Sequence, residues 1–143
     1  MASDTELSIA ADCLCLASRR AARTITRRFD RALRGKGIRI TQFSMLALLH
    51  LRGPLSIGAL SDALGVERTT LTRNLGPVER EGLVAVRSDD NDARSRVVAL
   101  TAKGRAALVK AFPSWRAVQA ELTSEIGAET AANLRRMSRH RSI

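Results

Sequence analysis

Tyrosine is absent from these 143 residues, and the other aromatics amount to Phe29, Phe43, Phe112 and Trp115. Proteins that hold single strands stack unpaired bases on aromatic side chains, and this chain has almost none to spare. Cysteine is nearly absent too: Cys13 and Cys15 alone do not make a disulfide framework. With His50 and His140 as the only histidines, no zinc set assembles. No segment reaches the roughly 18 apolar residues that cross a bilayer, and the N-terminus lacks the uninterrupted apolar stretch of a secretion signal. Catalytic signatures are missing as well: there is no phosphate loop, no Gly-x-Ser-x-Gly and no His-Glu-x-x-His. The expectation is a cytoplasmic protein that is not an enzyme, carries no cofactor or metal and has no membrane partner.

Positive charge is what the chain has in excess. Lys and Arg number 24 against 14 Asp and Glu, a net charge of +10 with a pI near 11.4. Such an excess favours a polyanionic partner, nucleic acid before acidic membrane. Together with the scarcity of aromatics it points to duplex DNA.

Residues 6–34 hold no Pro or Gly and space Leu7, Ala10, Leu14, Ala17, Ala21, Ile25, Phe29 and Leu33 at helical intervals. They predict one long helix, with Asp4 near its N-cap and Gly35 and Gly37 ending it. The opposite face carries Arg19, Arg20, Arg23, Arg27, Arg31 and Arg34. A small domain cannot cover such a helix alone, so part of its apolar stripe is expected to meet a second subunit. Thr41 is the expected cap of a second helix, stopped by Gly53-Pro54. Ser56 caps a third over Ile57 to Leu64, ended by Gly65. A fourth runs from Arg68 to Glu81, with Pro77 expected to bend or loosen its last turn. Leu83–Arg87 and Ser95–Leu100 read as strands from their Val content. Thr101 caps a long helix expected to kink at Pro113, with Leu108, Phe112, Trp115, Val118, Leu122 and Ile126 on its apolar side. A final helix runs from Glu129 to about His140, bearing Ala132, Leu134 and Met137.

Leu60 to Leu75 has the logic of a helix-turn-helix. Ala63 is small where helices cross, Gly65 permits the turn, and Val66 and Leu71 are placed to fill the shared core. The second helix offers Arg68, Thr69, Thr70, Thr72, Arg73 and Asn74. These suit a DNA groove: Arg forks onto guanine, Asn onto adenine, Thr onto phosphate or the thymine methyl. Alone, this could be an ordinary helical hairpin with a polar face. The charged loop from Ser88 to Arg94 between two strands adds a second tool. Arg94 at its tip suits a narrow, negative minor groove, and Arg87 and Arg96 can reach phosphates.

At this point the chain resembles the MarR family of winged helix-turn-helix transcriptional regulators. That family's wing pattern, Asp-x-Arg, five residues, then Leu-Thr-x-x-Gly, stands complete as Asp92, Arg94, Leu100, Thr101 and Gly104. Its Thr-Arg matches Thr72-Arg73, and its Glu-x-x-Gly-Leu-Val matches Glu79, Gly82, Leu83 and Val84. Two departures stand out: Pro77 sits late in the recognition helix, and Val86 replaces a frequent arginine, with Arg87 next. The resemblance implies a mainly α fold with a small β-hairpin wing. Residues 1–36 form an N-terminal dimerisation helix, 37–102 the winged DNA-binding region and 103–143 two C-terminal dimerisation helices, all in one compact domain. It implies a homodimer on a pseudo-palindromic duplex operator, acting as a repressor released by a small aromatic or phenolic effector or by thiol oxidation. It also implies that Asp92 holds the tip arginine through an ion pair.

Cys15 falls near the register of the reactive cysteine in the organic-peroxide-sensing branch of the family and is the candidate redox sensor. Arg19, four residues on, could acidify it. The tyrosines of that branch are absent, and a small apolar residue at a dimer seam is the favoured reading. On one continuous helix Cys13 and Cys15 would face opposite sides and could not readily bond to each other. Two competing functions remain: a non-specific architectural nucleic-acid-binding protein, supported only by charge, and a redox enzyme using Cys15, which lacks a resolving partner and a nearby base.

Overall fold

The computed structural model describes residues 1–139. Helices α1 (Asp4–Ser8), α2 (Leu14–Leu33) and α3 (Ile40–Arg52) lead into a short strand β1 (Leu55–Ser56). Then come α4 (Ile57–Leu64), α5 (Arg68–Arg80), the hairpin β2 (Val84–Ser88) and β3 (Arg96–Leu100), and the helices α6 (Ala102–Ile126) and α7 (Ala128–Arg139). His140 lies outside the described residues.

The expected single N-terminal helix is broken. Ser3, not Asp4, caps α1, in a capping box with Glu6. A 3₁₀ turn over Ile9–Asp12 follows, and Cys13 takes an extended backbone (ψ 125°) as the N-cap of α2. Neither Pro nor Gly marks this break, so periodicity ran through it. The start of α3 also differs. Arg39, not Thr41, is its N-cap residue, and the Gln42 side chain accepts from the Arg39 N–H at 3.0 Å. Asp30 of α2 accepts from the Ile40 N–H at 2.8 Å. A cap supplied from ten residues upstream cannot be read from local sequence.

The remaining caps follow local chemistry. Ser56 Oγ accepts from the Ala59 N–H at 3.1 Å and opens α4. Gly65 closes it in the left-handed region (φ 68°), where a side chain would be strained. In α5, Pro77 removes an i→i−4 bond, yet the last turn stays bonded: Glu81 N–H donates to the Pro77 carbonyl at 3.0 Å. Likewise α6 runs as one helix through Pro113.

The sheet has order β1-β3-β2, all antiparallel. Its strand β1, two residues pairing Leu55 with Val98 and Ser56 with Val97, is too short for any alternation signal. Val98 is fully buried at the centre. Around it one core gathers Leu33 of α2, Phe43, Leu46 and Leu49 of α3, Leu60 of α4, Leu71, Leu75 and Val78 of α5, and Leu108 and Ala111 of α6. Leu33, Leu108 and Ala111 thus belong to the same core as the helix-turn-helix. In α7 the buried residue is Ala131, one position before the expected Ala132.

Apolar side chains also lie uncovered. Leu7, Ile9, Leu14 and Leu16 at the N-terminal end, Phe112 on α6, and Leu134 and Met137 on α7 are all exposed. In α2 only Phe29 and Leu33, at its C-terminal end, are buried. The same two regions predicted to meet a second subunit are the ones without cover in one chain.

Candidate nucleic-acid interface

The recognition helix is held by its buried side. Leu71, Leu75 and Val78 anchor α5 in the core. At about 100° per residue, the opposite face then carries Thr69, Arg73 and Arg80, all exposed. Arg80 escaped the sequence reading because it sits in the last turn, beyond the polar cluster at Arg68–Asn74. Its guanidinium lies back along the helix: a Cβ added at Gly76 would stand 3.2 Å from its Nη1. Helical spacing alone, i to i+7 from Arg73, would have found it.

The other expected groove residues divide. Thr70 is exposed on the flank. Thr72 donates its hydroxyl proton to the Arg68 carbonyl at 2.9 Å, leaving the oxygen as acceptor and the methyl for contact. Arg68 does not project freely: a Cβ on Gly58 would lie 2.5 Å from its Nη2, so the guanidinium rests across α4. Asn74 lies beside the buried face and lines a cleft between α3 and α5. Val66 is a correction. Expected in the shared core, it is 36% exposed, because the turn after Gly65 carries it to the cleft's edge.

The wing is organised by backbone bonds. Asp89 N–H donates to the Ser95 carbonyl at 2.8 Å, and Ser95 N–H to the Asp92 carbonyl at 3.0 Å. Asp92 Oδ1 accepts from the Arg94 N–H at 3.0 Å, and Asp89 Oδ1 from the Asn91 N–H at 3.1 Å. These are two successive Asx turns. Among the described residues the ion pairs are Arg28 with Glu121 and Glu125, and Arg39 with Asp30; none involves Asp92 or Arg94. The expected Asp92–arginine pair is therefore replaced by a bond to backbone. The chemical reason is local: a carboxylate two residues before an amide reaches it more easily than a guanidinium on a solvated arm. The arrangement ties two acids to the loop backbone and leaves Arg94 exposed at the tip.

Cross-strand register sets the flanking arginines. Arg87 pairs with Val97, and Ser88 with Arg96. Opposite residues share a face, so Arg87 and Arg96 lie on opposite faces of the hairpin. A wing with a tip arginine and one cation on each side matches a groove walled by two phosphate strands.

The base of the wing explains the Leu-Thr-x-x-Gly pattern. Thr101 Oγ1 donates to the Gly82 carbonyl at 2.6 Å and accepts from the Gly104 N–H at 3.0 Å. One hydroxyl thus caps α6 and ties it to the end of α5. Gly104 is needed because a Cβ there would overlap the Leu83 carbonyl oxygen and stand 2.8 Å from Leu100 Cδ1.

The cysteines are both exposed. Cys13 sits outside α2, so the two thiols are not held on opposite sides of one helix. Backbone N–H groups of Leu16 and Cys15 hold the Cys13 thiol below the usual thiol range. Among the described residues no cluster of three or more His, Cys, Asp or Glu could hold a metal ion, and no helix is long and apolar enough to cross a membrane. Trp115 stacks between Phe43 (5.4 Å) and Phe112 (5.6 Å), so the aromatics form a ladder from core to surface.

Known proteins resemble this arrangement closely. Residues 38–95 match the MarR family model. The M. tuberculosis transcriptional regulator MosR, solved in complex with DNA, is 47% identical, with a TM-score of 0.80 over 88% of this chain and 93% of that one. The transcriptional repressor CouR, bound to a 23-mer DNA duplex, is 26% identical with a TM-score of 0.77 over 94% and 96% of the two chains. The transcriptional activatory protein BadR of Rhodopseudomonas palustris is 36% identical over 99 residues, 66% of this chain but 57% of BadR. The chain thus spans little more than half the length of that relative. It belongs to the MarR family of transcriptional regulators.

Proposed function

We propose that this protein is a cytoplasmic, homodimeric, sequence-specific regulator of transcription that binds duplex DNA and has no catalytic activity or cofactor. The observation that carries the reading is the pairing of the outward face of α5 with a wing in which Asp89 and Asp92 bond backbone amides. Arg73 is the base-reading residue of the major groove, with Thr69, Thr70, Thr72 and Asn74 around it. Arg68, resting across α4, serves a phosphate. Arg94 enters the minor groove, Arg87 and Arg96 take the phosphates on either side, and Asp92 positions the tip. MosR and CouR, each solved with DNA, support the duplex-binding reading.

The uncovered Leu7, Leu14, Leu134 and Met137 support the dimer, since apolar burial stabilises by roughly 25 cal/mol per Å². A two-fold dimer presents two recognition helices about 34–36 Å apart, matching half-sites one helical turn apart. Repression is the simpler output, because a dimer covering a promoter excludes polymerase with no further contact. Release comes from a small aromatic or phenolic effector, or from oxidation of a thiol. Cys13 joins Cys15 as a candidate for the second route because its thiol is acidified.

The test is a salt-titrated comparison of one selected duplex with random DNA. A specific regulator retains a large affinity ratio at physiological salt. An affinity that is equal for both duplexes at every salt concentration belongs to a non-specific basic protein and rejects this reading.

A further inference from the structure

We infer that α2 carries a second polyanion surface, an arginine ridge that holds the phosphate backbone of a duplex DNA segment other than the one read by α5. This goes beyond the regulator reading and uses none of its contact residues. The ridge is Arg20, Arg23, Arg27 and Arg31 of α2, with Arg34 at its C-cap, all exposed. At about 100° per residue the five fall within about 80° of one another, on the side turned away from buried Phe29 and Leu33. At about 1.5 Å per residue they span about 21 Å, with no Pro or Gly between them. The apolar stripe of Leu14, Ala21 and Ile25 lies on the same side as Phe29. A dimer that buries that stripe leaves the ridge open.

Little within the chain answers this charge. The one acid of α2, Asp30, is engaged by the Ile40 N–H at 2.8 Å and by Arg39 at 3.9 Å. Arg28, off the ridge, pairs with Glu121 and Glu125 of α6, whereas among the described residues no ridge arginine has an ion pair. Like charges three and four residues apart weaken a helix, and a merely solvated face mixes signs. An external polyanion removes that repulsion. All five cations are arginine, whose fork grips phosphate through two bonds. No aromatic stands among them to stack a free base, which favours a double-stranded backbone over a single strand. A duplex strand carries one phosphate per roughly 3.4 Å of axis, so the ridge faces about six. Its lower end looks across a cleft of about 650 Å³ at Glu81. Glu79 and Glu81, both exposed, lie at that end of α5. A duplex running from α5 onto the ridge would lay phosphates against two carboxylates, so the ridge takes a separate segment. A dimer seated on its operator thereby tethers a second stretch of DNA.

Energy transfer between two duplexes tests this with the full chain. The protein is saturated with a donor-labelled duplex that it has itself selected, and an acceptor-labelled duplex of random sequence is titrated in at low salt. Transfer is expected to rise saturably. Five neutralised phosphates give a log–log salt slope of about −4.5, so affinity for the second duplex should fall roughly twentyfold for each doubling of salt. The combined variant Arg23→Gln, Arg27→Gln, Arg31→Gln should hold the selected duplex as the parent does, lose most of the transfer and respond to salt only about three- to fourfold per doubling. Lysine at the same three positions keeps the charge and should retain transfer, weakened by loss of the forks. Transfer that persists in the glutamine variant, or is absent from the parent while the selected duplex stays bound, overturns the inference. Equal loss in the glutamine and lysine variants also refutes an electrostatic ridge. Binding to phosphatidylserine vesicles without transfer between duplexes assigns the ridge to a membrane surface and overturns it too. If no selected duplex is held at all, the regulator reading fails, and the ridge then stands or falls on whether the glutamine variant loses affinity for the random duplex.

Discussion

Asp92 separates two views of how the proposed wing contact with DNA is made. Simple electrostatics says that removing a carboxylate near phosphates must tighten binding. The structure says that this carboxylate holds the Arg94 amide at 3.0 Å and so presets the tip. A hydrogen bond of this kind contributes about 0.5–1.5 kcal/mol net, and without it the tip must be ordered during binding. A dimer has two wings, so the loss is roughly 1–3 kcal/mol. The opposing gain is small: unit charges about 10 Å apart in water interact by about 0.4 kcal/mol, and that distance exceeds the Debye length of about 8 Å at physiological salt. Asp92→Ala should therefore weaken binding by about 1–2 kcal/mol per dimer, a roughly five- to thirtyfold rise in Kd. Asp92→Asn keeps the acceptor oxygen and loses the charge, so it should bind as well as the parent or better. Fluorescence anisotropy with a labelled selected duplex at physiological salt measures both. Tighter binding by Asp92→Ala, or equal weakening by both variants, would refute the positioning role.

Other substitutions probe the remaining parts. Arg73→Ala should cost about 1–3 kcal/mol and relax preference at one position per half-site, so an unchanged binding-site logo counts against its base contact. Gly104→Ala sets a Cβ against the Leu83 carbonyl and Leu100 and should destabilise by about 1–3 kcal/mol, lowering Tm by several degrees; an unchanged melt would contradict the close approach. The lowered Cys13 thiol pKa predicts faster alkylation at a given pH below the usual thiol range than an ordinary thiol shows, because the thiolate is the reacting form. Loss of the faster phase in Cys13→Ser confirms the assignment, and its persistence assigns that phase to Cys15.

Much of this architecture is readable from short-range chemistry. Ser56, Gly65 and Thr101 act where their residue types place them, because each satisfies a backbone group within a few residues. The hairpin strands are found within one residue of their bounds. What could not be read depends on distant partners. Asp30 supplies the first amide of α3 from across a loop, and β1 exists only through its pairing with β3. The break at Cys13 carries no breaker residue. Within the proposed interface, residue types marked an exposed polar cluster on α5, but not the direction of each arm. Arg68 lies on α4, Asn74 beside a cleft and Asp92 on backbone, while Arg80 was missed. The polar pattern marks a surface; the packing of Gly58 and Gly76 decides where its arginines lie.

Selection of bound duplexes from a random pool tests the central claim most directly. A dimer reading DNA through two copies of α5 and two wings should enrich an inverted repeat with half-sites about 10–10.5 base pairs apart, centre to centre, and with A·T-rich flanks where Arg94 meets a narrow minor groove. A pool that shows no enrichment, or that converges on an asymmetric single site bound by one subunit, would contradict it.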